Sequence, residues 1–321
     1  VLRFIKSNRR ARRPKYVVGT TAYDNSFDVA SPQFSLPHFK LFRFDYTDTA
    51  WSDALQETLR FLIAGDGFPR ANDGKSFHVD LGIFVALEDE ELTSVLALDG
   101  QWKQIPVEFD HTRYYQGQFK ENGKSVSVVL AAAPKMGMPP AAVTCTKLIN
   151  TFRPKLLAIS GICAGIRRKT KIGDILIADP CFDWGSGKWI AIKKNDGSPS
   201  ELRFRPAAYQ WRLDESIRSR CKAVGDNQAF LAALHKEYPG KKPVNPPRVL
   251  IDAMASGASV LQANKLMEDV SDQHKNVIGV EMESYAVFTA SEYASEPRPL
   301  CISVKSVCDF GDEKKSDKDH K

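Results

Sequence analysis

Three acidic residues, far apart in the chain, each follow an apolar stretch: Glu90 after Val79 to Leu87, Glu283 after Val277 to Val280, and Asp309 after Leu300 to Val307. A carboxyl group donates a proton when neutral and accepts hydrogen bonds when ionised, so residues placed this way could move a proton or hold a hydroxyl-rich substrate. Two glycine-bearing turns accompany them, Lys135-Met136-Gly137-Met138-Pro139 and Ser160-Gly161-Ile162-Cys163-Ala164-Gly165. In open α/β sheets, ligands bind at such strand ends. Taken singly, each segment has a plainer explanation. Glu88, Asp89, Glu90 and Glu91 suit a helix N-terminus, Gly161 and Gly165 a tight turn, Glu281 and Glu283 a solvated edge, and Asp309 a cap for the next segment. Their conjunction points to a site.

The elements that must position these residues can be read from periodicity and punctuation. Residues 16–21 and 39–44 read as strands and 51–64 as a helix, followed by a polar linker over 66–77. From Val79 onward strands and helices alternate. Val79 to Leu87 is a continuous apolar run of the kind that fills a buried strand, and Asn122-Gly123 marks a hairpin within 117–133. Helices are expected over 140–152, 214–224, 227–238, 260–270 and 283–294. Strands are expected over 155–162, 173–179, 248–254, 277–280 and 300–307, with a polar excursion over 183–205. The fold class that follows is α/β, with a mixed, largely parallel central sheet and helices on both faces, built by residues 78–321.

Composition narrows the function. The 321 residues are 43% hydrophobic and 26% charged with 20 Gly and 18 Pro, ordinary values for a globular chain of about two domains. No apolar run approaches the roughly 20 residues of a membrane span, so no membrane partner is expected. The six cysteines form no CxxC pair and read as free thiols of a reducing, cytoplasmic compartment. The net charge is +6, yet residues 1–15 alone carry seven basic residues and no acid, leaving the remainder at −1. A nucleic-acid protein spreads positive charge over its binding face, so nucleic acid is not an expected partner. No His, Cys or Asp cluster has ligand spacing, and neither a metal nor an organic cofactor is expected. The first residue is valine, so the sequence is expected to start inside a longer protein.

In order and spacing, Met136-Gly137-Met138-Pro139, Ser160 to Gly165 with Ile172-Gly173-Asp174-Ile175, and Val280-Glu281-Met282-Glu283 resemble the nucleoside phosphorylase and nucleosidase superfamily. That superfamily includes methylthioadenosine nucleosidases, purine nucleoside phosphorylases and AMP nucleosidases. The resemblance covers about residues 78–315 and implies cleavage of a purine N-glycosidic bond through an oxocarbenium-like ribosyl transition state. It implies that Asp309, kept protonated by burial, acts as the acid at purine N7. Glu283 would hold the ribose 2′ and 3′ hydroxyls, with Met282 under the sugar and Glu281 beside it. Glu90 would activate water. Where phosphorylases carry phosphate-binding arginines, this chain has Ile159 and the acids Glu88 to Glu91, which favours a hydrolase. Cys163, Val260 and Phe182 are the base-side candidates, Val260 standing where methylthioadenosine nucleosidases place an aromatic; Trp184 is an alternative stacking residue. Lys135, Arg167, Arg168 and Lys169 are the candidates for a 5′ phosphate. Homo-oligomers are implied, as is a final helix beyond Lys321.

Residues 15–65 resemble the second half of a response-regulator receiver domain, with Val17 to Ala22 and Lys40 to Asp45 as its last two strands, although Phe44-Asp45-Tyr46 replaces the expected Lys-Pro. A receiver fused to a nucleosidase resembles the effectors of bacterial anti-phage systems. That architecture implies ATP or another adenine nucleotide as substrate and an upstream kinase or signalling protein as partner. Two other readings stand beside it. One keeps the fold and assigns methylthioadenosine or adenosylhomocysteine hydrolysis, or phosphorolysis. The other is a nucleotide-sensing module without turnover.

Overall fold

A computed structural model of the chain describes residues 17–21, 39–43, 47, 49, 51–53, 55–56, 74–121, 123–192, 200–207, 209–240 and 242–313. The chain divides into two compact units, Val1–Arg70 and Ala71–Lys321. In the first, β1 (Val17–Thr21) pairs in parallel with β2 (Phe39–Arg43), and residues 51–53 and 55–56 are helical. The rest of the expected helix and most of the 66–77 linker lie outside the described residues.

The second unit runs β3 (Val79–Val85), a π-helical turn (Glu88–Leu92) continuing into α1 (Thr93–Leu96), β4 (Lys103–Val107), β5 (Asp110–Glu121), β6 (Lys124–Ala132) and α2 (Met138–Phe152). It continues with β7 (Pro154–Gly165), β8 (Ile175–Asp183), β9 (Gly187–Ile192), β10 (Glu201–Pro206), β11 (Gln210–Trp211), α3 (Glu215–Asp226) and α4 (Gln228–Glu237). Last come β12 (Val249–Ser256), α5 (Asn264–Asp272), β13 (Gly279–Glu281), α6 (Ser284–Glu292) and β14 (Leu300–Asp309).

Five of these strands close on themselves. β7 pairs with β14, β14 with β8, β8 with β12, β12 with β13, and β13 returns to β7. From this ring a wing extends through β3, β6, β5 and β4. Ring and wing contain both parallel and antiparallel pairings, so the sheet is mixed. Apolar alternation places helices on both faces. Phe84, Val129 and Ala131 share one core with Cys145 and Leu148 of α2 and Val287 and Phe288 of α6. Their strand neighbours Ile83, Val85, Val128 and Leu130 face the other way, onto Leu92 and Val95.

Asn122-Gly123 lies between Glu121 and Lys124, which pair across the hairpin, and Gly123 has φ +75°. The polar 183–205 excursion contains a separate antiparallel hairpin, β9 with β10. Periodicity did not expose β4, where Pro106 coincides with a register shift between Ile105 and Val107. Pro139 and Pro140 sit in the first turn of α2, where a missing N–H costs no helical hydrogen bond.

Candidate active site

The ends of β3, β7, β13 and β14, with the loop after β12, enclose a cavity of about 150 Å³, room for a small organic molecule rather than a lone water. Glu91, Glu283 and Asp309 line it, each less than 10% exposed.

Glu91 is the acid that β3 delivers. Its Oε2 accepts hydrogen bonds from the backbone N–H groups of Ala86 (2.7 Å) and Leu87 (3.0 Å), and its Oε1 from that of Ile162 on β7 (2.9 Å). A carboxylate has about four acceptor positions, so one remains for water. The approach to β7 depends on Gly161, because a Cβ there would lie 2.1 Å from Oε1 of Glu91. Glu90, the residue expected from the sequence, does not line the cavity. The cause is the π-turn. Leu92 N–H donates to the Leu87 carbonyl five residues back at 3.0 Å, and the wider turn brings round the acid one position later. Counting acids from Leu87 as for a tighter turn stops one residue short.

The turn between β13 and α6 supplies Glu283. Its Oε1 accepts from Gly137 N–H at 2.8 Å and its Oε2 from Lys305 Nζ at 3.3 Å. Lys305 Nζ also lies 3.4 Å from Glu281 Oε2, and its side chain is 1% exposed. Burial raises the Glu283 carboxyl above its ordinary value while Lys305 opposes the rise. Lys305 is itself held above its ordinary value by Glu283, Glu281 and Glu91 against desolvation. Glu281 borders the cavity, but its carboxylate serves the turn: it accepts from the N–H groups of Glu283 (2.9 Å) and Ser284 (2.9 Å) and from the Ser256 hydroxyl. Ser256 Oγ in turn accepts from Tyr285 N–H at 2.9 Å. Glu281 thus fixes the backbone that presents Glu283. Lys305 was not singled out from the sequence, although a lysine inside the apolar stretch Leu300 to Val307 needs a buried acid and could have been sought on that ground.

Asp309 ends β14. Its Oδ1 accepts from Gly311 N–H at 2.7 Å, and Cys308 Sγ lies 3.6 Å from its Oδ2. Cys163 and Met282 line the cavity, as does Val260, which is 55% exposed at its rim. Burial pushes the Cys163 thiol well up. Phe182 does not line the cavity; it packs with Ala253 and Ala255 in a neighbouring core, its ring 5.7 Å from that of His274. Trp184 lies against Gly257. Among the described residues the lining contains neither an aromatic side chain nor a lysine or arginine. Lys135, Arg167, Arg168 and Lys169 all fall outside it. Arg167 is bound to Asp312 and sits 4.2 Å above the Phe310 ring. Lys169 donates to the Lys275 and Val277 carbonyls at 3.0 Å each. Lys135 and Arg168 are exposed.

The sequence profile of the phosphorylase superfamily matches residues 80–321, a span that contains every acid of the cavity. The chain belongs to the phosphorylase superfamily. Protein y4jS of Sinorhizobium fredii, whose function is uncharacterized, is 30% identical over 319 residues, 97% of this chain and 76% of its own length. ATP nucleosidase Cap17 of Escherichia coli is 23% identical over 64% of this chain, and the match spans only 41% of that protein. Among solved structures, the 5′-methylthioadenosine/S-adenosylhomocysteine nucleosidase of Helicobacter pylori aligns with a TM-score of 0.55, covering 74% of this chain and 88% of that one at 21% identity. That likeness is one of fold.

Proposed function

We propose that the chain is a hydrolase of purine N-glycosyl bonds. The observation that carries this reading is the convergence of Glu91, Glu283 and Asp309 on one cavity whose lining, among the described residues, holds no lysine or arginine. Glu283, ionised beside Lys305, accepts hydrogen bonds from the ribose hydroxyls and fixes the ring over Met282. Asp309 gives its proton to the purine at N7 as the C1′–N9 bond breaks and its electron pair passes into the base. Water held by Glu91 adds to C1′ and yields its proton to that carboxylate, leaving free base and free sugar. Positioned proton transfer of this kind contributes about 10²–10⁴-fold. Phosphorolysis is disfavoured because a phosphate polyanion would meet carboxylates.

Adenine nucleotides, ATP first among them, are the substrates this reading favours, supported by the similarity to Cap17. A role in anti-phage defence, with an upstream kinase or signalling partner, rests on the receiver-like reading of residues 15–65. Cations for the 5′ phosphates would then come from outside the described lining, a second copy of the chain being the natural source. The apolar lining at Leu87, Met136, Val260 and Leu261 favours a second reading, a nucleoside with an apolar 5′ group.

Chromatography for free adenine after incubation with ATP, ADP, AMP, adenosine and methylthioadenosine, with and without phosphate, tests both. Adenine should appear with no phosphate requirement, and Asp309→Asn should lower its release at least about 10²-fold. A phosphate requirement with ribose 1-phosphate as product overturns the hydrolase reading. Purine binding with no adenine release, at high enzyme concentration, overturns the enzymatic one.

A further inference from the structure

The turn Ile172-Gly173-Asp174-Ile175 belongs to the pattern shared with the superfamily, yet none of its residues lines the cavity of acids. Together with the loop from α4 to β12 it forms a second cavity of about 580 Å³, which shares no lining residue with the first. Pockets of roughly 300–1,000 Å³ hold small organic molecules. The described lining carries the cations Lys171, Lys242 and Arg248 and one acid, Asp174. We propose that this groove is a binding site for a small phosphate-bearing molecule. The proposal is independent of the N-glycosidase reading of the other cavity.

The acid does not oppose an anion here, because its charge is already engaged. Asp174 is 2% exposed. Its Oδ1 accepts from the backbone N–H and from Nε of Arg248, both at 3.2 Å. Its Oδ2 accepts from Lys171 N–H at 2.8 Å and from Arg248 Nη2. Arg248 Nη2 also donates to the Lys169 carbonyl at 3.2 Å. These bonds fix the plane of the guanidinium while its Nη1 edge takes no part in them, and nearly half of the side chain is exposed. A planar fork held in this way matches the oxygens of a phosphate. Lys242 Nζ uses one of its three N–H groups on the Lys236 carbonyl, at 2.5 Å, which leaves two for a ligand. Lys171 is exposed on the opposite wall.

The walls are tied to the fold. Gly173 has φ +86°, and a Cβ there would lie 2.6 Å from Cγ of Pro243, so the loop packs directly on the turn. His235 Nε2 holds the Pro243 carbonyl at 2.8 Å. Beneath the turn, Gly173 N–H donates to the Val307 carbonyl at 2.9 Å and Val307 N–H to the Asp174 carbonyl at 3.0 Å. Charges placed in advance on such a frame cost little to order when an anion arrives. Ile172, Val244 and Pro246 add apolar surface beside the cations, and Val244 is 96% exposed. Covering that surface favours a phosphate with an organic body over the bare ion.

Calorimetric titration at fixed ionic strength, with phenyl phosphate and with inorganic phosphate as probes, tests the proposal. Phenyl phosphate should bind more tightly than inorganic phosphate. Lys171→Glu and Lys242→Glu, both changes of exposed side chains, should each weaken it at least about 10-fold. Arg248→Lys keeps a charge beside Asp174 but loses the fork, and should weaken it as well. Lys124→Glu, an exposed lysine at the β5–β6 hairpin, should leave the affinity within about twofold. Several results would overturn the proposal: no heat with either probe, inorganic phosphate binding as tightly as phenyl phosphate, unchanged affinity in both glutamate variants of the groove, or an equal loss in Lys124→Glu. Because no turnover is read, each of these leaves the N-glycosidase reading untouched.

Discussion

Glu91 and Glu90 are neighbours with opposite expectations. Glu91→Gln places an amide donor against three backbone N–H groups, so one or more of those hydrogen bonds is lost along with the acceptor for water. Adenine release should fall at least about 10²-fold. Glu90→Gln, outside the cavity, should stay within about threefold. Equal losses in steady-state kinetics would mean that the π-turn does not select the acid as described. Lys305 gives a second test of the same kind. It is the buried cation between Glu281 and Glu283, and removing one member of such a cluster costs about 3–5 kcal/mol. Lys305→Met should therefore show a large loss in denaturant melts, and Lys305→Arg a smaller one. The pH dependence has a definite sign. Glu283 already sits above its ordinary value, so its ionised form weighs against the fold as pH rises past the ordinary carboxylate range. Without Lys305 that cost grows, and the gap between Lys305→Met and wild type should narrow as pH falls and Glu283 takes up a proton.

The turn after β13 shows how an element can be built around a residue that does no chemistry. Glu281 accepts the first N–H groups of α6 and the Ser256 hydroxyl, an N-terminal cap supplied from the preceding strand. Glu281→Ala should cost roughly 1–3 kcal/mol in thermal melts. It should also raise KM, because Glu283 is no longer held. Most of this architecture was legible in the sequence because apolar alternation and turn chemistry report directly on strands and hairpins: Asn122-Gly123 and the apolar runs before Glu283 and Asp309 are cases in point. Three features were not. The π-turn depends on a hydrogen-bond register that five residues of mixed polarity do not encode. β4 is interrupted by Pro106. Phe182 and Val260 both suit a base pocket by type, and only the pairing of β8 with β12 puts Phe182 in a separate core.

Taken whole, one copy of the chain gathers acids around the cavity and, on the nucleotide reading, offers a 5′ phosphate no basic group among the described residues of the lining. ATP cleavage should accordingly depend on assembly. Specific activity toward ATP should fall on dilution more steeply than activity toward methylthioadenosine, checked by rates across enzyme concentration alongside sedimentation. The way the strands close bears on the chemistry as well. Glu91 is reached differently, because Glu283 and Asp309 both issue from the five-strand ring whereas Glu91 follows β3, the first strand of the wing, and is moored to the ring by the Ile162 amide. A disturbance of β3 reaches Glu91 directly, whereas one in β6 also reaches Glu283 through the Gly137 N–H that follows that strand, so on the hydrolase reading the first should slow the attack of water and the second should loosen the sugar as well.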